Sequence, residues 1–115
     1  MRRGKAANDV CIYRYIFEDL ITAGDLFSYI EYKGGKLQDA EAAVIVRQIL
    51  KALEYLHDHG VAHRDLKPDN VLVTSLADGS RIILSDFGGA TITGDHVAPR
   101  QRMMTQIGTM EYTAP

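Results

Sequence analysis

A single cysteine, Cys11, rules out an internal disulfide and leaves no thiol cluster that could hold zinc. Such sparse cysteine usage fits a reducing, intracellular setting, cytoplasmic or nuclear. No stretch approaches the roughly 20 apolar residues of a membrane-spanning helix, and the basic start Met1-Arg2-Arg3-Gly4-Lys5 leads into no apolar leader core. The net charge of −2 gives no electrostatic ground for nucleic acid or an anionic membrane as partner. Internal repeats and low-complexity segments are also absent. What remains is 115 residues, 46% of them hydrophobic, which suits one modest folded domain.

Along the chain, residues 1–9 are polar and basic and read as a disordered start. Val10 to Phe17 is rich in β-branched and aromatic residues, which predicts a buried strand. Glu18 to Gly24 is a connector, after which Asp25 can cap a short helix over Leu26 to Ile30, ended by Lys33-Gly34-Gly35-Lys36. Asp39 to His59 is the clearest helix. Ala42, Ile45, Val46, Ile49, Ala52, Leu53 and Leu56 recur at three- and four-residue steps, with Asp39 and Glu41 at the start and Gly60 placed as the residue beyond the end. His57 and His59 read as a solvated helix end rather than metal ligands. Val71 to Val73 and Ile82 to Leu84 flank an Asp78-Gly79 turn and predict a β-hairpin, which would bring Asn70 and Asp86 together at its open end. From Gly89 to Pro115 no regular pattern is left, as in a long functional loop.

The chemistry concentrates in His63-Arg64-Asp65-Leu66-Lys67-Pro68-Asp69-Asn70 and in Asp86-Phe87-Gly88. One carboxylate there can take a hydroxyl proton, an amide and a second carboxylate can hold Mg²⁺, and a lysine can neutralise a transferring phosphate. The pattern H-R-D-x-K-x-x-N fixes five residue types; at about one-in-twenty odds each, chance yields it roughly once in a few million positions.

These two motifs, with Gly108-Thr109-Met110-Glu111-Tyr112-Thr113-Ala114-Pro115, resemble the landmarks of the eukaryotic protein kinase catalytic domain. The resemblance runs from about Val10 to Pro115 and implies an α+β, protein kinase-like fold. Residues 10–115 would be a partial large (C-terminal) lobe, mainly helical, with a short β-hairpin that carries the catalytic and metal-binding loops. It implies Asp65 as the base that orients a substrate hydroxyl, Lys67 on the γ-phosphate of ATP, and Asn70 and Asp86 as Mg²⁺ ligands. Lys67 also marks the Ser/Thr class, and Thr109 resembles the threonine that bonds the catalytic Asp and Lys.

For the nucleotide, the resemblance implies hinge contacts from Glu18-Asp19-Leu20, Leu72 as the floor under adenine and Phe17 as the gatekeeper; plain core is the other reading of Leu72 and Phe17. Asp25 is a candidate for the ribose hydroxyls or, equally, a helix cap. Arg64 would pair with a phosphate on Thr105, placed there by an upstream kinase or by autophosphorylation, and the other reading of Thr105 is an unmodified hydroxyl. Asp25 and Asp69 suggest a protein substrate with basic residues before its Ser or Thr. Met103-Met104-Thr105 and Phe17 to Leu20 look closest to the calmodulin-dependent and checkpoint branch. His63 and Phe87 resemble the lower half of a hydrophobic spine. Within residues 1–115 the glycine-rich loop and the strand lysine of a complete kinase do not occur, so the chain by itself is expected not to transfer phosphate; the alternative function is a non-catalytic binding module.

Overall fold

The computed structural model describes residues 10–77, 80–93 and 108–112; the basic start 1–9, the Asp78-Gly79 turn and Thr105 fall outside them. Helix α1 runs over Leu26–Tyr32 because Asp25 starts it: the residue is extended and its Oδ1 accepts from the Ser28 N–H at 2.8 Å. The helix goes one half-turn past the predicted Ile30 and ends where Gly34 and Gly35 take positive φ. Helix α2 covers Asp39–Asp58, with Asp39 and Glu41 in its first turn, His59 as its C-cap and Gly60 beyond it at φ +67°. His57 and His59 are exposed at this end, and His59 Nδ1 lies 2.7 Å from the Tyr55 carbonyl.

Strands are short. β1 (Val61–Ala62) pairs antiparallel with β4 (Thr91–Ile92), and β2 (Val71–Val73) pairs antiparallel with β3 (Ile82–Leu84). The second pair is the predicted hairpin, with Val71 opposite Leu84 and Val73 opposite Ile82. One face of β2 turns Val71 and Val73 into a core with Leu26, Tyr29 and Ile45, and Ile49, Leu66, Ile82 and Leu84 pack around it. Full burial of each valine is worth about 1.5–3 kcal/mol. α1, α2 and the hairpin are therefore welded together beneath Leu72, which points the opposite way. Tyr29 adds a polar tie at the core's rim: its hydroxyl donates to the Glu41 carboxylate, and that bond, burial and the Glu41 charge raise its pKa above the ordinary tyrosine value.

Each outer edge of the hairpin is met in part by groups that are not strands. Along β2, the Val73 N–H donates to the Gly24 carbonyl at 2.9 Å and Asp25 forms a bridge with Leu72. Along β3, the Gln48 carboxamide donates to the Ser80 carbonyl at 3.3 Å and accepts from the Ile82 N–H at 3.1 Å. Those two groups flank Arg81, so the side chain bonds as the N–H and C=O of one residue in a third, parallel strand would.

Two expectations are overturned. Val10 to Phe17 forms no strand; Val10, Ile12, Tyr15, Ile16 and Phe17 are 80–94% exposed, so Phe17 is not core. Strand propensity alone makes no ladder, and among the described residues nothing lies alongside this segment to pair with it. Conversely, the tail after Gly89 is less irregular than expected. It holds β4 and a 3₁₀ turn at Met110–Tyr112.

Candidate active site

The loop between β1 and β2 carries the octapeptide, and the turn after β3 carries Asp86, so both chemical motifs emerge at the same end of the hairpin. Its register makes this unavoidable. Asn70 immediately precedes β2, Ser85 immediately follows β3, and the Ser85 N–H and Oγ both donate to the Asn70 carbonyl, at 2.9 and 3.1 Å. Asn70 and Asp86 are thus fixed on neighbouring chains. Pro68–Asn70 forms a 3₁₀ turn, and Asn70 is 6% exposed.

Asp65 sits at the centre of a dense set of donors. Thr109 Oγ1 donates to its Oδ1 at 3.0 Å, and Asn70 Nδ2 reaches its Oδ2 at 3.2 Å and its carbonyl at 2.8 Å. Lys67 Nζ donates to Thr109 Oγ1 at 2.7 Å, so one hydroxyl bridges the ammonium and the carboxylate. The Asp65 carboxyl is held below the usual aspartate value, first by the Thr109 hydroxyl, with burial opposing, and then by the Lys67 charge, Asn70 and the Thr109 backbone N–H. An ionised, oriented carboxylate can accept a proton from a hydroxyl placed against it, and the adjacent ammonium can face a phosphate oxygen.

His63 supports this loop from below. It is 2% exposed; its Nδ1 accepts from the Asp65 N–H at 3.2 Å, so the proton lies on Nε2, which donates to the Ser85 carbonyl at 2.7 Å. Its ring meets Phe87 at 5.0 Å between centroids. Arg64 adopts φ +68° and its Nε donates to the Gly89 carbonyl at 2.6 Å, which ties the loop to the 3₁₀ turn Phe87–Gly89. Asp86 also has positive φ, +56°, and its Oδ1 accepts from the Gly88 N–H at 3.3 Å. Two non-glycine residues in the left-handed region at one site represent stored backbone strain of order 1–3 kcal/mol each.

The residues present fit a hard divalent cation that brings ligands with it. Asn70 spends both N–H bonds on Asp65, which turns its amide oxygen the other way, and Asp86 offers carboxylate oxygen nearby. Among the described residues no group of three or more His, Cys, Asp or Glu could hold a metal unaided, so phosphate and water oxygens would complete its shell.

The nucleotide-side residues are less assembled. Leu72 is half-buried beside Asp25, whose carboxylate caps α1. Glu18 and Leu20 are exposed on the irregular segment before α1, and Asp69 is exposed on the 3₁₀ turn. Sequence reasoning missed Ser85, which links the two proposed cation ligands, and Gln48, which anchors β3 to α2; a lone serine and a helical glutamine carry no pattern of their own. The β1–β4 pair was missed too, since two-residue strands give no periodic signal.

Comparison with known proteins bears directly on this arrangement. The model of a family described as the protein kinase domain matches residues 8–115. The chain is 49% identical over 104 residues to the meiosis-specific serine/threonine-protein kinase MEK1 of Saccharomyces cerevisiae, covering 88% of this chain and 20% of that protein. Its counterpart in Schizosaccharomyces pombe is 45% identical over 102 residues, 88% of this chain and 22% of that protein. Calcium/calmodulin-dependent protein kinase type 1 of Macrobrachium nipponense is 41% identical over 101 residues, 88% of this chain and 28% of that protein. The chain therefore spans between a fifth and under a third of the length of these relatives.

Proposed function

Because the chain belongs to the protein kinase domain family, which generally uses ATP and Mg²⁺, we propose that it carries the catalytic loop, cation ligands and activation segment of a serine/threonine kinase. The observation that carries this reading is the Thr109 hydroxyl, bonded at once to Asp65 and Lys67 while Asn70 holds the other Asp65 oxygen.

In this reading Asp65 receives the proton of a substrate serine or threonine as its oxygen bonds to the γ-phosphorus of ATP. The bond to the β–γ bridging oxygen breaks and its electron pair leaves on ADP. Lys67 faces the transferring phosphoryl group. Asn70 and Asp86 hold Mg²⁺, which neutralises charge on the phosphates when bound. Leu72 supports the adenine, with Glu18 and Leu20 as backbone hinge contacts. Asp25 reaches the ribose only with the carboxylate oxygen that does not cap α1. Exposed Asp69, with Asp25, supports a preference for basic residues upstream of the target. Arg64, half-buried and already bonded to Gly89, is the proposed partner of a phosphate on Thr105, delivered by another kinase or by the protein itself. A use of ATP, with the single cysteine, supports an intracellular site of action, cytoplasmic or nuclear.

The test is phosphoryl transfer from Mg-ATP to an arginine-rich Ser/Thr peptide by the full-length protein carrying this chain. Transfer abolished by Asp65→Asn supports the proposal; transfer that survives Asp65→Asn refutes it. Purified 1–115 alone is expected to show none, since these residues hold neither a glycine-rich loop nor the strand lysine.

A further inference from the structure

Four residues at the open end of the hairpin form a closed ring of hydrogen bonds. The Asp65 N–H donates to His63 Nδ1, His63 Nε2 donates to the Ser85 carbonyl, Ser85 donates to the Asn70 carbonyl, and Asn70 Nδ2 donates back to the Asp65 carbonyl. Every bond runs in the same sense around the ring, and at His63 a single imidazole both accepts and donates, so its two bonds polarise each other. His63 and Asn70 are buried, so a broken link leaves a desolvated group without its partner.

Ser85 is the member that spans the two halves. It lies on the β3 side, covalently next to Asp86, while the other three belong to the loop before β2. Its contribution is doubled: backbone N–H at 2.9 Å and side-chain Oγ at 3.1 Å converge on one carbonyl oxygen. The backbone bond would survive any residue there but proline. The hydroxyl bond would not. Its second donor limits how far Asn70 can shear past residue 85, and therefore how far Asn70 and Asp86 can drift apart.

We infer that the Ser85 hydroxyl is a positioning group that sets the spacing of Asn70 and Asp86 for a divalent cation, without touching that cation. This rests on the kinase reading above in one respect, that Asn70 and Asp86 are the cation ligands. A shift of a few tenths of an ångström matters to such a pair, because Mg²⁺ demands near-ideal octahedral geometry at about 2.0–2.1 Å.

The experiment measures Mn²⁺ binding by electron paramagnetic resonance to the full-length protein carrying this chain, in the presence of ADP, with circular dichroism to confirm folding. Ser85→Ala is expected to weaken Mn²⁺ binding about three- to tenfold, the scale of one lost hydrogen bond. Ser85→Thr, which keeps the hydroxyl, is expected to restore it. Wild-type affinity in Ser85→Ala, or equal weakening in Ser85→Thr, overturns the inference. Should Ser85→Ala not fold, Ser85→Cys, with its weak donor and similar volume, carries the same expectation and the same refutation. Asp86→Ala separates the two readings. If it leaves Mn²⁺ binding intact, the ligand assignment itself is wrong; if it abolishes binding while Ser85→Ala does nothing, only the role of Ser85 falls.

Discussion

Replacing Gly60 by alanine tests how the flanks of the active-site loop are held together. Gly60 follows α2 at φ +67°, where an L residue bears a strain of about 1–2 kcal/mol. A Cβ built there would stand 2.6 Å from the Thr93 carbonyl oxygen, which is backbone and cannot swing aside. Relief requires Thr93 to retreat, and Thr93 is bonded to Gly60 through its N–H at 2.5 Å, continuous with the β1–β4 pair. Losing that hydrogen bond costs a further 0.5–1.5 kcal/mol, roughly. Together these come to about 1.5–3.5 kcal/mol. Gly34 supplies the control, since it has φ +90° but nothing within 4 Å of its would-be Cβ. Gly34→Ala therefore bears backbone strain without a clash. Urea denaturation of wild type and both variants, with amide exchange at Ala62 and Thr93, measures the difference. Gly60→Ala should be the less stable by about 1 kcal/mol, with exchange at those two amides accelerated. Equal destabilisation by the two substitutions would refute the close approach as the reason for glycine.

Three further outcomes are expected. Asp65 should titrate below the ordinary aspartate value of 3.8, and Thr109→Ala should raise its midpoint toward that value, read by carboxyl carbon NMR. Since the folded value is the lower one, the stabilisation is fully present above pH 3.8 and lost as pH falls through the folded midpoint, so segment 108–112 should loosen only in that acid range. Gln48→Ala, which removes both bonds to the β3 edge, should destabilise by about 1–3 kcal/mol and speed exchange of the Ile82 amide; an unchanged Ile82 rate would show the clamp to be idle. Asp25→Ala should cost about 0.5–2 kcal/mol through loss of the α1 cap, whereas Asp25→Asn should retain most of it, as thermal melts would show.

What the residues disclosed beforehand depended on how local the cause was. α2 announced itself through a stripe repeated over 20 residues, and α1 through a carboxylate three residues before the N–H it caps. The hairpin needed only two apolar triplets and a turn. The failures are all non-local. Val10 to Phe17 has the composition of a strand, yet pairing depends on a neighbour that no local pattern encodes. β1 and β4 lie about 30 residues apart and hold two residues each, too few for any alternation to register. The site divides in the same way. Asp65, Lys67 and Asn70 stand within one octapeptide, but the Asp65–Thr109 bond joins positions 44 apart and was foreseeable only through resemblance to a family. Arg64 and Asp86 in left-handed backbone could not be foreseen, because residue type disfavours that conformation and only the surrounding bonds enforce it.

The Gly24, Asp25 and Gln48 contacts have a consequence for self-association. A two-stranded ribbon normally presents two rows of unmatched amides, each a template on which another chain can add a strand. Here the turn before α1 takes the Val73 N–H of β2 and bridges at Leu72, and one side chain from α2 takes the Ser80 carbonyl and the Ile82 N–H where β3 begins. Gln48 in particular occupies, with one carboxamide, the place where an added strand would make its first two bonds to β3. Substituting it should therefore reopen an aggregation template at β3 as well as loosen the fold, and thioflavin-positive assemblies in Gln48→Ala, with none in Asp25→Asn, would be its signature.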